Sequence, residues 1–336
     1  MATLGSGIMP SGQTGTELTY VTRRAFVPML VVQLYQSSPL LAVALANAQP
    51  ASGGVSSVTV PLQGSAYVAG QWTDYSGTFN QPAVLNGTNI AEFNLKALVV
   101  PVPFLGMEGL VQQDHAIIPL IHARMNDATN VQADIMATAL YNNYTNNQQF
   151  IGLPGAIDDS TNLVTYGGVN RTNNTFWKSK VRAMGSVNPT RYTVMQNIAG
   201  TFSNGGEVPN FGLMGIATWT TLANDFISNE QYRITPSDNG FDDISTGPRS
   251  VFRALMVAGI PIYVDPYMPE GQLYLINTNY FNLYIHDRAN FNFTGFYSTI
   301  PNYQIGFVGA VVTLAELVIT KPKTCGRFTG YTNVTI

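Results

Sequence analysis

Alternating hydrophobic and polar positions dominate residues 56–103 of the chain. Two stretches alternate in this way, and period two is the pattern of a half-buried β-strand. The first contains Val58, Val60 and Leu62, and the second runs from Ile90 to Val100. Turn-forming residues lie between them, at Gly70, Gly77 and Asn86-Gly87. The pattern predicts a long β-hairpin with a loose tip near residues 70–88.

The predicted hairpin needs a surface to lie on, because an isolated two-stranded hairpin is marginally stable in water. Four large aromatic residues lie in it, and aromatic side chains contribute much of the energy of protein interfaces. They are Tyr67, Trp72, Tyr75 and Phe79. We therefore interpret these four residues as candidates for contact with another subunit.

The hydrophobic period changes to steps of three and four after residue 116, which is the pattern of one helix face. The positions are Ile117, Ile121, Met125, Ala128, Val131, Ile135 and Ala139. They predict a helix from Pro119 to Asn147, about 43 Å long at about 1.5 Å per residue. Asp127 and Asp134 are seven residues apart on one flank of it, where a solvated face is favoured over a catalytic pair.

The rest of the chain mixes both periods, so the predicted fold class is α+β. Residues 1–55 form an arm with one apolar stretch, Phe26–Leu45. Further helices are predicted at 189–202 and 219–227. Strands are predicted at 260–264, 272–277, 281–285 and 308–318, and the tail from Lys321 is predicted to be loosely extended.

Charged residues are scarce, with 16 basic and 19 acidic residues making 10% of 336, where about 25% is usual. Hydrophobic residues make 45%, which excludes a disordered protein. The net charge of −3 argues against a dedicated nucleic-acid binder. Cores of protein interfaces are depleted in charge. The composition therefore favours a protein whose surfaces are largely covered by other subunits.

A search for catalytic and metal-binding motifs finds none that is specific. His115 and His122 lie on one predicted helix, but two ligands without a third do not make a zinc site. The loop Asp238–Asp243 lacks the spacing of a calcium-binding loop. Cys325 is the sole cysteine, which excludes a disulfide scaffold and indicates an inert thiol. We predict no catalytic residue, cofactor or metal.

The N-terminal region contains two short motifs that resemble export signals. No run of 18 apolar residues occurs, so no membrane-spanning helix is predicted. Thr22-Arg23-Arg24 resembles a twin-arginine signal and Ala46-Asn47-Ala48 a cleavage site. However, Gln33 and Ser37-Ser38-Pro39 interrupt the apolar region between them. We interpret this region as an arm that packs on a neighbour.

Several short stretches after the long helix carry a family resemblance. They are Leu140–Asn143, Ile151–Asp159, Tyr166–Arg171, Gly259–Pro266 and Gly271–Asn277. In this order, after an arm, a hairpin and a long helix, they resemble the major capsid protein of tailed bacteriophages, which has the Hong Kong 97-type fold. The resemblance covers residues 56 to about 320.

The resemblance implies a division of the chain into five parts. These are an N-terminal arm (1–55), an extended loop hairpin (56–104), a peripheral domain with the spine helix (105–200), an axial domain (201–299) and a return to the peripheral domain with the C-terminal tail (300–336). It implies a structural protein that self-assembles into the pentamers and hexamers of an icosahedral shell. Packaged double-stranded DNA is then a partner, bound without sequence specificity.

The same resemblance places the protein in the virion capsid after assembly in the host bacterial cytoplasm, with no membrane partner. Decoration or separate scaffolding proteins are possible partners. We expect the mature subunit to begin at or next to Met1. The reason is that residues 1–55 contain three charged residues and no heptad pattern, unlike a cleaved scaffolding segment.

The distribution of charge fits this implied role. Residues 105–150 carry a net charge of −3, whereas 151–336 are balanced. In the resembled fold the long helix lies toward the lumen, so Asp127 and Asp134 are predicted to be lumenal. Proteins bind DNA by neutralising phosphates with Lys and Arg. An acidic lining would therefore keep packaged DNA from adhering.

Covalent linkage between subunits is not expected. Some shells of this family join an extended-loop Lys to an Asn of a neighbour, and this needs a desolvated lysine amine. The chain has no lysine between Val58 and Leu95, and Lys96 lies at the foot of the hairpin. Cohesion is therefore predicted to be noncovalent.

Two other protein classes remain as alternatives. An encapsulin-type nanocompartment shell would share the fold and differ in its contents. An exported surface or carbohydrate-binding protein would fit the neutral, aromatic, Asn-rich sequence and the Arg23-Arg24 segment. An enzyme ranks last, because no catalytic motif was found.

Overall fold

The computed structural model describes residues 38–51, 56–64, 88–105, 114–142, 148–229, 254–299 and 306–332. Helices and strands alternate irregularly along these residues, as predicted for an α+β chain. The helices are α1 Pro39–Ala46, α2 Asp114–Tyr141, α3 Leu153–Ala156, α4 Arg191–Gly205 and α5 Ile216–Asn229. The predicted long helix is confirmed as α2, although it begins five residues before Pro119 and ends six residues before Asn147.

The strands, like the helices, are numbered in chain order. They are β1 Ala48–Ala51, β2 Ser57–Gln63, β3 Thr88–Asn94, β4 Lys96–Leu105, β5 Thr165–Tyr166, β6 Val169–Asn170, β7 Lys180–Val187, β8 Phe211–Met214, β9 Leu255–Val257, β10 Ile260–Val264, β11 Gln272–Ile276, β12 Phe281–His286, β13 Asn292–Phe293, β14 Tyr297–Ser298, β15 Gly306–Ile319 and β16 Gly326–Tyr331. The four strands predicted after residue 259 are confirmed as β10, β11, β12 and β15.

The base of the predicted hairpin is confirmed, because β2 and β3 pair antiparallel from Ser57↔Asn94 to Gln63↔Thr88. The prediction of one continuous return strand, however, is wrong. The strand breaks at Leu95, and β4 leaves the hairpin to pair along β15, from Lys96↔Ala315 to Leu105↔Gly306. The physical reason is that β15 offers β4 a longer ladder and an apolar core that β2 cannot supply.

The first sheet is built around the long strand β15. Its order is β1-β12-β15-β13, with β14 and β4 also pairing with β15. Helix α2 covers one face, where Val100, Val102 and Phe104 of β4 are buried. The Gln132 Nε2 amide on α2 donates to Thr313 Oγ1 of β15 at 2.7 Å. This hydrogen bond fixes the helix along the middle of the sheet.

The second sheet has the order β7-β16-β11-β8-β10-β9. A separate core cluster, including Val194 of α4, Leu222 of α5 and Phe328 of β16, lies against it. The prediction of a loosely extended tail from Lys321 is wrong. Strand β16 pairs with β11 on one side and β7 on the other, because its apolar side chains complete this core.

Sheet membership crosses the predicted domain boundaries. Strands β12 to β14 belong to the first sheet, although they fall within residues 201–299. Strand β7 precedes residue 201 and β16 follows residue 299, yet both belong to the second sheet. The five-part division of the chain itself remains a prediction.

A buried carboxylate joins the beginning of the described chain to the second sheet. Asp265 directly follows β10, is fully buried, and accepts a hydrogen bond from Ser38 Oγ. Ser38 is also the N-cap of α1. Tyr141, the last residue of α2, is buried nearby, and its burial together with the charge of Asp265 raises its pKa well above the usual value. Helices α1 and α2 and strand β10 therefore meet at one polar junction.

Candidate functional site

On β4 and β15, the face of the first sheet opposite α2 is made of apolar side chains. On β4 and β15, four cross-strand pairs point to this side, since the alternate residues Val100, Val102 and Phe104 point to the helix. The pairs are Ala97–Leu314, Val99–Val312, Pro101–Ala310 and Pro103–Val308. We call these eight residues the outer sheet face. None of them is charged.

The outer sheet face is open to solvent in the described structure. The Val99 side chain is 52% exposed, Pro101 and Pro103 are exposed, and the four β15 residues are half-buried. Tyr297 of β14, which pairs with Val308 and is 64% exposed, extends the face. Solvated faces of antiparallel sheets normally carry polar residues. A contiguous apolar patch that the described residues leave exposed is a candidate for cover by another protein or by residues outside the described ones.

The edge of this sheet is protected while its face is open. Within the described residues β4 pairs with β15 alone, so it is an edge strand. Pro101 and Pro103 lie on it, and proline has no N–H to offer an incoming strand. Prolines on edge strands oppose edge-to-edge association. A partner is therefore expected to approach the face and not the edge.

The predicted acidic residues lie together on the exposed face of α2. Asp127 and Asp134 are both exposed, with Val131 and Ile135 beside them at 40% and 38% exposure. No basic residue occurs between Met125 and Tyr141. This face of α2 is acidic and partly apolar. That it lines a lumen remains a prediction.

Asp134 also has a structural partner that the sequence did not suggest. Tyr267, in the loop between β10 and β11, donates its hydroxyl proton to Asp134 Oδ1 at 2.5 Å. This hydrogen bond, with the charge of Asp134, raises the pKa of Tyr267 to about 12. The bond joins α2 to the second sheet, so only part of the Asp134 carboxylate remains for other contacts.

Glu316 is a buried acid that sequence reasoning missed. It lies on β15 two residues beyond Leu314, is 2% exposed, and accepts the Ile151 N–H at 3.2 Å through Oε1. Its Oε2 has no hydrogen-bond partner among the described residues. Burial raises its pKa to about 8, against the opposing effects of the Ile151 N–H and the Lys96 charge. The carboxyl group is therefore mostly protonated at neutral pH.

Position 316 also marks where the outer sheet face ends. The segment containing Ile151 covers β15 there, whereas Val308 to Leu314 stay partly exposed. The sequence carried one signal for this site, since Glu316 is the single charged residue in the apolar run 306–319.

The covering segment is held together by a buried arginine. The Arg171 guanidinium is fully buried, and burial lowers its pKa. It donates to the carbonyl oxygens of Gly155, Ala156, Leu163 and Trp177 at 2.6–3.3 Å. Asp158 Oδ2 lies 4.0 Å from Nη1 and accepts backbone N–H groups of its own loop. These hydrogen bonds use four of the five N–H donors of Arg171 and tie the segment together, so its role is structural.

The other candidates from the sequence give no reactive site in the described residues. Cys325 is buried, and burial raises the pKa of its thiol to about 11. The side chains of His115 and His122 and the loop Asp238–Asp243 lie outside the described residues. In the part of the chain that the structure describes, no group of three metal-ligating side chains occurs and no helix is long and apolar enough to cross a membrane.

The four hairpin aromatics, Tyr67, Trp72, Tyr75 and Phe79, lie outside the described residues. The base of the hairpin is described. There Phe93 of β3 packs edge-on against Tyr166, with ring centroids 4.9 Å apart. Ile90 on the same strand is 67% exposed.

Sequence comparisons find no relative of this chain. No protein-family model matches it. A search of curated proteins finds no match either.

Structure comparisons do find chains with a similar fold, and several of them are chains of capsids. A chain of the cyanophage A-1(L) capsid asymmetric unit matches with a TM-score of 0.66 and 14% identity, over 89% of this chain and 94% of that chain. The capsid of the native GTA particle matches with a TM-score of 0.58 and 10% identity, over 85% and 89%. The predicted resemblance to phage major capsid proteins is therefore confirmed at the level of the fold.

An encapsulin complex shares this fold as well. The holo-SrpI encapsulin complex from Synechococcus elongatus PCC 7942 matches with a TM-score of 0.52 and 11% identity, over 93% of this chain and 90% of that chain. The fold of this chain is therefore similar both to that of a phage capsid chain and to that of an encapsulin.

Proposed function

We propose that the chain is a structural major capsid protein, which self-assembles into the pentamers and hexamers of an icosahedral shell around double-stranded DNA. The observation that carries the proposal is the match to the cyanophage capsid chain, which covers 89% of this chain and 94% of that one. Because nearly the whole of both chains aligns, the likeness is not limited to one part of the fold. The site of action is the virion capsid, assembled in the host cytoplasm.

The physical character of the surface supports a subunit of a shell. Shell subunits meet several neighbours, so much of their surface must be uncharged. The chain has 10% charged residues, and the outer sheet face contributes eight apolar side chains to its exterior. We propose that Tyr67, Trp72, Tyr75 and Phe79 supply further noncovalent contacts. Boiled particles are then expected to give a single monomer band in denaturing electrophoresis.

We further propose that the acidic face of α2 lines the lumen and lets packaged DNA slide without adhering. The test replaces Asp127 and Asp134 by Lys. Because each added cation can neutralise a phosphate, nucleic-acid retention in the shells should rise and should fall steeply with salt. Tyr267→Phe is the matched control, since it removes the hydrogen bond to Asp134 without adding charge. Equal retention at low salt in all variants would count against the lining.

An encapsulin-type nanocompartment is the second candidate function. The likeness to the SrpI encapsulin complex covers 93% of this chain. It supports this second function in the same way, because both proposals rest on similarity of fold. The two functions differ in what the shell encloses. A viral capsid encloses nucleic acid, whereas a nanocompartment encloses protein cargo.

Electron microscopy of the expressed chain tests the proposed function. We expect uniform closed particles, with five-fold and six-fold clusters of subunits. Nuclease-protected DNA in particles purified from the native source would support the capsid, and co-purifying protein cargo without nucleic acid would support the nanocompartment. Monomers under every salt and concentration condition would refute both.

A further inference from the structure

A buried arginine on the second sheet has no counter-charge among the described residues. Arg327 lies on β16 and is 8% exposed. It forms no ion pair with a carboxylate in the part of the chain that the structure describes. Buried cations are normally paired, because moving a charge out of water is unfavourable. Arg327 therefore needs an anionic partner that the described residues do not supply.

The unused edge of the Arg327 guanidinium has the geometry that binds oxyanions. Nη1 donates to the Pro154 carbonyl oxygen at 3.4 Å, and the guanidinium carbon lies 5.8 Å from the ring centroid of Tyr274. Nε is buried without a partner among the described residues, and Nη2 forms no hydrogen bond with them either. The Nε and Nη2 N–H groups lie side by side, so this edge can bind two oxygens of one anion.

A second buried donor without a partner lies beside Arg327. Ser179 directly precedes β7, is 4% exposed, and its Oγ has no partner among the described residues. The Lys180 N–H donates to the Cys325 carbonyl oxygen at 3.1 Å, where β7 and β16 begin to pair. Ser179 therefore lies beside Cys325, which is two residues from Arg327 along β16. The two groups without partners belong to the same end of this ladder.

The strands around these two groups are basic. Strands β7 and β16 contain Lys180, Arg182 and Arg327 and no acidic residue. Asp158 contacts this region through its backbone, since its carbonyl oxygen accepts the Ser179 N–H at 3.0 Å. Its carboxylate is balanced by the Arg171 charge and by backbone N–H groups. The local field therefore attracts an anion.

We propose that the Nε–Nη2 edge of Arg327 binds a free inorganic oxyanion, phosphate or sulfate, with the Ser179 hydroxyl as a further donor. A small ion is favoured over a nucleic-acid backbone or an acidic protein segment, because the low exposure of both residues leaves little surface for a polymer. The bound anion joins β7 and β16 to the segment that contains Pro154. The site lies within one chain, so the inference goes beyond the proposed function and does not depend on assembly.

Thermal unfolding of the full chain at increasing phosphate and constant ionic strength tests the site. The midpoint should rise and saturate, by about 5 °C at about one hundred times the dissociation constant. Arg327→Lys keeps the charge but loses the paired donors, so affinity should fall about tenfold. Ser179→Ala should lower affinity about threefold to tenfold. Arg182→Met, which removes an exposed cation from the neighbouring strand, is the control and should keep the full response.

Arg327→Met separates anion binding from a purely structural role. Methionine keeps an unbranched side chain beside Tyr274 and removes the buried charge. Without an oxyanion its midpoint should equal or exceed that of the unmodified protein, because an unpaired buried charge is unfavourable. Phosphate should then have no saturable effect on it. A lower midpoint without an oxyanion, or a phosphate response equal to that of the unmodified protein, would overturn the proposal.

Equilibrium dialysis of radiolabelled phosphate against the unmodified chain gives an answer even if a variant does not fold. Retention of one phosphate per chain, displaced by sulfate, is the expected result. No retention in the millimolar range would overturn the proposal. An experimental structure in which a carboxylate from outside the described residues pairs with Arg327 would overturn it as well.

Discussion

Glu316 should make the stability of this protein depend on pH in the neutral range. The residue is 2% exposed and accepts one backbone N–H, while its Oε2 has no partner among the described residues. Ionisation in such a place is unfavourable because the charge is not solvated. Replacing Glu316 by Gln removes the ionisable group, keeps the size of the side chain and retains an oxygen for the Ile151 N–H.

The expected magnitude follows from proton linkage. Burial raises the pKa of Glu316 from 4.5 to about 8 in the folded protein. The folded state therefore holds the proton more tightly than the unfolded state, and the free energy of unfolding falls as pH rises from about 4.5 to about 8. Over that interval of about 3.5 pH units, the free energy of unfolding falls by about 5 kcal/mol, at about 1.4 kcal/mol per pH unit. Below about pH 4.5 the protonated Glu316 makes its full contribution to the free energy of unfolding. Above about pH 8 that contribution is lost.

Denaturant unfolding at a series of pH values measures this effect. Between pH 5 and pH 8, the free energy of unfolding of the unmodified protein should fall by about 4 kcal/mol more than that of Glu316→Gln. At pH 5 the two proteins should differ by no more than about 2 kcal/mol, the cost of an imperfect amide hydrogen bond. Glu92→Gln, which removes an exposed carboxyl group on β3, is the control and should follow the unmodified protein. Parallel curves for Glu316→Gln and the unmodified protein would refute the reasoning.

Three further substitutions test named contacts, each in an unfolding experiment. Arg171→Met leaves the buried Asp158 without its cation and should lower the free energy of unfolding by about 3–5 kcal/mol. A midpoint of urea unfolding equal to that of the unmodified protein would contradict this. Tyr267→Phe removes the hydrogen bond to Asp134 and should cost about 1 kcal/mol, with no added loss in the Asp134→Ala background, where the acceptor oxygen is absent. Glu270→Ala removes the carboxylate that accepts two N–H groups at the start of α5 at 3.1 Å; the thermal midpoint should drop by the equivalent of about 0.5–1 kcal/mol.

The sequence predicted the helices and strands of the fold better than it predicted which strands pair with one another. Periodicity located α2 and β15, because each has a long regular apolar pattern that depends on nearby residues alone. It also located the hairpin base. The return strand was predicted as one piece, because Leu95 does not interrupt the alternation, and only the competition between β2 and β15 for pairing divides it there.

The candidate site was less accessible to sequence reasoning. Asp127 and Asp134 were placed together correctly, since seven residues return to the same helix face. The tyrosine that binds Asp134 comes from position 267, and no local pattern connects the two. The outer sheet face was missed for a related reason. The apolar sequence of β15 predicts a strand that is buried on both faces. Only the three-dimensional structure shows which face is left open.

The position of β15 and β16 along the chain has a consequence for how the protein folds during synthesis. Strand β15 lies at the centre of the first sheet, and β16 lies between β7 and β11 in the second. Both fall within residues 306–331, so a nascent chain that has reached residue 305 can complete neither sheet. Pairings this distant in sequence form slowly. The outer sheet face, which lies on β4 and β15, therefore forms only after β15 has been synthesised, and shorter nascent chains do not present it to one another.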